Sequence, residues 1–114
     1  MQLSAQDYGE VVLIKVDEPR IDAAVAVQFK DRVRELAGDT STRVVLDVES
    51  VDFLDSSGLG AVVAAMKQLG ADRRLELAGL TPTVQKVFHL TRMDTVFTIH
   101  DSAAAAIAGL AHVR

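Results

Sequence analysis

The chain has 114 residues, 49% of them hydrophobic, and contains no cysteine. A chain of this length buries one hydrophobic core rather than two, and the lack of cysteine excludes a disulfide framework, a thiolate metal site and a cysteine nucleophile. With 16 Asp and Glu against 12 Lys and Arg, the net charge is -4. This charge argues against a nucleic-acid partner, because phosphate-backbone binding needs a concentrated basic face.

Neither a membrane span nor a signal peptide is expected. No stretch approaches the roughly 20 consecutive apolar residues that a spanning helix needs. The first residues also lack a basic region followed by an apolar run. We therefore expect a cytoplasmic protein.

The N-terminal third predicts a β-hairpin followed by a helix. Residues 2–8 form a weak strand pattern, and the β-branched run 11–16 is typical of a strand. Asp22 is predicted to cap a helix that Gly38 ends. The apolar face of that helix would consist of Val25, Phe29, Val33 and Leu36.

The middle of the chain predicts a buried strand over residues 43–48 and a helix that runs to about Leu69 and ends at Gly70. The apolar stripe of this helix would be Leu59, Val62, Val63, Met66 and Leu69. We expect it to be buried against the sheet, together with Val45, Leu46 and Val48.

The C-terminal part predicts two further strand–helix pairs. The strands cover residues 75–78 and 96–99. Thr81 and Pro82 would begin a short helix with a buried face of Val84, Val87 and Phe88. Asp101 and Ser102 would cap an Ala-rich helix that runs through Ile107 and Leu110. The order β-β-α-β-α-β-α-β-α predicts one α/β domain over 1–114, with a mostly parallel sheet and an antiparallel hairpin at its start.

Most cofactor and metal sites are disfavoured by spacing. His89, His100 and His112 are not spaced as metal ligands. The Gly58-Leu59-Gly60 sequence lacks the third glycine of a dinucleotide-binding loop. Asp47, Asp52 and Asp55 resemble the acidic residues of a receiver domain, but the matching loop at 79–82 has no lysine. No cofactor is therefore expected.

The sequence Asp55-Ser56-Ser57-Gly58 precedes a helix, and two interpretations of it stay open. Asp and Ser at such a position satisfy the free N–H groups of a first turn. A glycine inside that turn, however, costs about 1 kcal/mol of helix stability. The alternative is a functional surface that another protein approaches closely, where the helix dipole would also favour a phosphorylated serine.

These residues carry a family resemblance. Residues 44–48, followed by VDFLDSSGLG at 51–60, resemble the signature of the STAS domain, and more narrowly that of the bacterial anti-sigma factor antagonists. Ile21-Asp22 is similar to the Leu-Asp pair at the start of the family's first helix. Residues 80–88, LTPTVQKVF, resemble its third-helix pattern. The resemblance covers essentially the whole chain and implies a STAS-type fold with about four helices.

The resemblance implies a non-catalytic switch. The family binds an anti-sigma factor that is also a serine kinase, and thereby frees a sigma factor. By position, Ser56 would be the residue that the kinase phosphorylates, and a metal-dependent serine phosphatase would remove the phosphate. The partner-binding residues carried over by position are Asp22, Asp55, Ser56, Ser57, Gly58 and Leu59.

Two departures and two alternatives accompany the resemblance. Pro19-Arg20 stands where the family usually has Gly-Glu, which reverses a charge beside the expected interface, and no glycine occurs near Arg92 or Met93. One alternative is a STAS subunit of a lipid-transport or sensory signalling complex without a phospho-switch. The other is a small hydrolase with a serine nucleophile, for which the sequence positions no general base.

Overall fold

The computed structural model describes residues 1–108 and 110. Within them the strands are β1 (Leu3–Asp7), β2 (Val11–Val16), β3 (Arg20–Ile21), β4 (Arg43–Asp47), β5 (Phe53–Leu54), β6 (Arg74–Ala78) and β7 (Thr98–His100). The helices of the same residues are α1 (Ala26–Ala37), α2 (Ser56–Leu69), α3 (Pro82–Leu90) and α4 (Ala103–Ile107), with a 3-10 turn at Met93–Thr95.

Five strands form one mixed sheet in the order β1-β2-β4-β6-β7. β1 is antiparallel to β2, with Leu3 opposite Val16. The other three pairings, β2 with β4, β4 with β6 and β6 with β7, are parallel. This arrangement and the four helices confirm the predicted fold class.

The two faces of the sheet are covered unequally. The larger core lies on the side of α1, α2 and α3, where Ile14, Phe29, Leu46 and Leu77 are fully buried. A small second cluster on the other face contains Val11, Val45, Ala78 and Ala106, with Ile107 of α4 packed against it. Val45 is therefore buried as expected, but beneath α4 rather than beneath α2.

The buried stripe of α2 differs from the expected one. The buried residues are Gly58, Ala61, Val62 and Ala65. The larger side chains Leu59, Val63, Met66 and Leu69 flank this stripe and are only partly buried. The physical reason is that α2 packs against α1 as well as against the sheet. Small residues at the centre allow the close approach, and the larger ones seal its edges.

The start of α1 also differs from the prediction. α1 begins at Ala26, and Val25 precedes it without a side-chain cap. Asp22 is therefore not the N-cap of α1. Its Oδ1 accepts the N–H of Ala24 at 3.1 Å, and its carbonyl accepts the N–H of Val25 at 3.1 Å. Asp22 thus closes a separate turn before the helix, a local bond that competes with helix formation.

The C-terminal elements largely agree with the prediction from the sequence. Ser102 caps α4, and its Oγ accepts the N–H of Ala105 at 3.0 Å. β7 begins later than expected, because residues 93–95 form the 3-10 turn. Phe97, before the strand, packs edge-on against Phe88, and the two ring centroids are 5.9 Å apart. Within the described residues, Arg92 is the one non-glycine residue with a positive φ, 63°. His112 lies outside the described residues.

Candidate functional site

The candidate site lies beside a two-stranded parallel sheet. This sheet was not predicted from the sequence. β3 pairs with β5, with Arg20 opposite Phe53 and Ile21 opposite Leu54. The carbonyl of Pro19 accepts the N–H of Asp52 at 2.8 Å and anchors the start of this pairing. The pairing brings the turn after Ile21 beside the beginning of α2, so Asp22 and Asp55 become neighbours although they are 33 positions apart in the sequence.

The carboxylate of Asp55 links these two segments. Asp55 is the N-cap of α2, and its Oδ1 accepts the N–H of Gly58 at 2.8 Å. Its Oδ2 accepts the N–H of Ala23 at 3.4 Å. One side chain therefore caps α2 and ties the 22–25 turn to it. The cap interpretation of the Asp55–Gly58 sequence is thus correct for Asp55, and it leaves the two serines to be explained.

Gly58 is required for packing against the small sheet. A Cβ at Gly58 would lie 1.9 Å from the carbonyl oxygen of Ile21 and 2.9 Å from Cδ1 of Leu54. Gly58 is itself buried. The glycine inside the first turn, which the helix propensity disfavours, therefore lets the α2 backbone approach β3.

The two serines are exposed at the first turn of α2. Ser57 borders a shallow groove between α1 and α2, with Val27 and Lys30 of α1 beside it. Val27 is 67% exposed. Leu59, Asp22 and Asp55 are half-buried around this turn. The structure thus places five of the six predicted partner-binding residues at or near the surface, and Gly58 beneath it.

Arg20 adds a cation to the site. Its Nε donates to Oδ2 of Asp22 at 3.1 Å, and its guanidinium carbon lies 4.3 Å from the centroid of the Phe53 ring. Phe53 is 38% exposed. The sequence shows that Arg20 reverses the charge of the glutamate usual in the family. Its ion pair with Asp22 and its stacking on Phe53 become evident only from the β3–β5 pairing.

The described histidines lie in other contacts. Nδ1 of His89 is 3.0 Å from Oδ2 of Asp94, and Nε2 of His100 is 2.7 Å from Oε1 of Glu76. Neither histidine forms a hydrogen bond with Ser56 or Ser57 within residues 1–108 and 110. Over the same residues, no three His, Asp or Glu side chains gather in a way that would hold a metal ion.

A buried ionic cluster lies on the opposite side of the sheet, beneath α4. Glu76 is only 1% exposed and accepts bonds from Nε and Nη2 of Arg43 at 2.8 and 2.6 Å. Arg74 and His100 contribute further bonds, and Arg43 also donates to the carbonyl of Ala106 in α4 at 3.2 Å. Burial disfavours ionisation of Glu76, but the bonds from Arg43 and His100 and the nearby positive charges outweigh it and lower the pKa of Glu76 to about 2.

Among the residues that the structure describes, no helix combines the length and the apolar character needed to cross a bilayer.

Comparison with known proteins agrees with this architecture. A family model described as STAS domain matches residues 2–106. The anti-sigma-F factor antagonist RsfB of Mycobacterium tuberculosis is 22% identical over 108 residues, 95% of this chain and 88% of that protein. A crystal structure of an anti-sigma factor antagonist from Mycobacterium paratuberculosis has a TM-score of 0.82 and 23% identity, over 96% of this chain and 93% of that one.

The fold is also similar to that of SpoIIAA, an anti-sigma factor antagonist of Bacillus whose structure is known in two states. The unphosphorylated form gives a TM-score of 0.72 at 23% identity and covers 99% of both chains. The phosphorylated form gives 0.67 at 23% identity, over 96% of this chain and 99% of that one. With the family model matched from the first strand to α4, the chain belongs to the STAS domain family.

Proposed function

We propose that the protein is an anti-sigma factor antagonist controlled by phosphorylation of Ser56. In the unphosphorylated state it binds an anti-sigma factor that is also a serine kinase, and thereby frees a sigma factor. The observation that carries this proposal is the exposed Ser56 at the first position of α2, next to the Asp55 cap, in a chain whose relatives include named anti-sigma factor antagonists.

The binding surface in this proposal is the first turn of α2 together with the neighbouring turn at Asp22. Ser56 and Ser57 are exposed there, and Leu59 offers a half-buried apolar side chain. Asp55 holds the two segments in a fixed relation through its bonds to Gly58 and Ala23. A surface fixed in this way loses little conformational freedom when a partner binds.

Phosphorylation would occur at the Ser56 hydroxyl. The serine oxygen forms a bond to the γ-phosphorus of ATP, ADP leaves, and the hydroxyl proton passes to the kinase. The modification adds about 1.5 to 2 negative charges at pH 7. A metal-dependent serine phosphatase would return the protein to its binding state by hydrolysis of the phosphoester. The proposal includes a cytoplasmic location, where the kinase has access to ATP, and a single domain over residues 1–114.

The added charge would act on binding more than on folding. The N-terminus of α2 favours a phosphate by roughly 0.3–1 kcal/mol, while the adjacent Asp55 opposes it. A partner that packs flush over Ser56 must instead strip water from the phosphate or withdraw, which costs several kcal/mol when the charge is left poorly paired. A loss of about 3 kcal/mol is already more than a hundredfold in affinity.

The test is to co-purify the protein with its partners from its own cells, then to incubate it with the recovered kinase and ATP. Mass spectrometry should place the phosphate on Ser56. Ser57→Ala should still be phosphorylated, whereas Ser56→Ala should bind the kinase and remain unmodified. Phosphate on Ser57 alone would contradict the proposal. Recovery of transporter subunits without a kinase would favour the alternative assembly.

A further inference from the structure

The Arg20–Asp22 ion pair lies beside the segment that leads into Ser56. β3 and β5 are adjacent and parallel, and the contact continues past their ends through the bond between Ala23 and Asp55. Arg20 is opposite Phe53 in this pairing, and Ser56 follows Phe53 by three residues, directly after the Asp55 cap of α2. The side chains of Arg20 and Ser56 are both exposed at this end of the β3–β5 sheet, where α2 begins.

The guanidinium of Arg20 is positioned but not enclosed. Stacking on Phe53 holds it over β5, and its Nε donates to Asp22 at 3.1 Å. Its side chain is 57% exposed. Asp22 is the carboxylate paired with Arg20 within the described residues, and this bond uses one of the five N–H groups of the guanidinium.

A phosphate on Ser56 would be a stronger partner for this guanidinium than Asp22. It carries more negative charge than a carboxylate and offers three acceptor oxygens, and arginine binds phosphate in a bidentate manner. Asp22 and Asp55 would repel this phosphate, whereas Arg20 and Lys30, which lines the groove beside Ser57, would attract it.

We propose that Arg20 exchanges its ion pair with Asp22 for one with phosphorylated Ser56. The inference rests on the proposed phosphorylation and extends it to a second residue. When Arg20 moves to the phosphate, the carboxylate of Asp22 loses its counter-ion. A single modification would then change the charge presented at both Ser56 and Asp22, and Arg20 is the positioning residue that couples them.

The second ionisation of the phosphate, near pH 6, reports this contact directly. The chain is produced with phosphoserine incorporated at position 56 during synthesis, and its 31P NMR signal is titrated. Because a neighbouring cation favours the more charged form, the pKa of the phosphate should rise by several tenths of a pH unit in Arg20→Gln. Arg20→Lys should give an intermediate value, since lysine keeps the charge but not the bidentate geometry.

Arg32→Gln is the matched control, because Arg32 is an exposed arginine paired with Glu35 in α1. It should leave the phosphate titration unchanged. Identical titrations for the parent chain and Arg20→Gln would overturn the proposal. Since no kinase is used, this result is independent of the proposed function: failure here leaves the phospho-switch intact, and failure of a kinase to modify Ser56 leaves the Arg20 contact intact.

Discussion

The α2 backbone at Gly58 approaches the Ile21 carbonyl so closely that a Cβ would lie 1.9 Å from its oxygen. This approach is what joins the small β3–β5 sheet to the helix that carries the two exposed serines. Since the nearest atoms include the backbone carbonyl carbon and oxygen of Ile21, the clash cannot be relieved by rotation of a side chain alone. The glycine of the family signature therefore has a structural reason in this chain, separate from any contact with a partner.

Gly58→Ala should destabilise the protein, by about 1–3 kcal/mol if the backbone shifts to relieve the clash. Gly60→Ala is the matched control in the same helix, because a Cβ there would meet nothing within 4 Å. That change should stabilise the protein by up to about 1 kcal/mol, since alanine favours a helix over glycine. Urea unfolding of both variants measures the difference. Equal stabilities for the two would contradict the packing at Gly58.

Asp55→Ala should remove the α2 cap and the link to the 22–25 turn. We expect a loss of about 1 kcal/mol of unfolding free energy. Asp55→Asn retains a side-chain oxygen for the Gly58 N–H and should lose less. Hydrogen exchange at the amides of Gly58 and Ala23 should accelerate in Asp55→Ala. Unchanged exchange at both amides would show that the carboxylate does not hold the two segments together.

The Glu76 cluster should make the free energy of unfolding depend on pH in the acidic range. The pKa of Glu76 in the folded protein is about 2, below its ordinary value of 4.5. The folded state therefore binds this proton less readily than the unfolded state, so the contribution is fully present above about pH 5 and is lost as the pH falls toward 2. A shift of this size corresponds to about 3 kcal/mol at neutral pH.

Glu76→Gln should therefore be less stable than the parent chain by about 3 kcal/mol at pH 7. The gap should shrink as the pH falls from about 5 to 2. Tyr8, the one tyrosine in a chain without tryptophan, packs against the small cluster beneath α4, so its fluorescence reports this side of the fold. Glu35→Gln, at an exposed ion pair, is the control. A gap that does not change with pH would contradict the assignment.

The periodicity of apolar residues was sufficient to predict the main sheet and the order of the helices. The runs that became β2 and β4 are continuous and β-branched, and such patterns need no tertiary information. The two-residue strands β3 and β5 were not predicted, because two residues show no period. The centre of the α2 stripe was missed for a different reason. Ala61 and Ala65 are buried by close helix packing, but the prediction followed the larger apolar residues around them.

The site was predictable only in part. The Asp55–Gly58 sequence identified the start of α2 and its cap. The pairing of β3 with β5 joins segments about 30 residues apart in the sequence. It brings Asp22 close to Asp55 and places Arg20 over Phe53. No local pattern in either segment encodes that pairing. Ser56 as a phosphorylation site stays a prediction.

Phosphorylation of Ser56 is expected to release the partner without unfolding the protein. The most direct measurement is the affinity of the co-purified kinase for two preparations of the chain, unmodified and carrying phosphoserine at position 56, with thermal unfolding of each measured in parallel. We predict a loss of affinity of about a hundredfold or more, which corresponds to roughly 3 kcal/mol, with little change in melting temperature. Equal affinities for the two preparations would contradict the account.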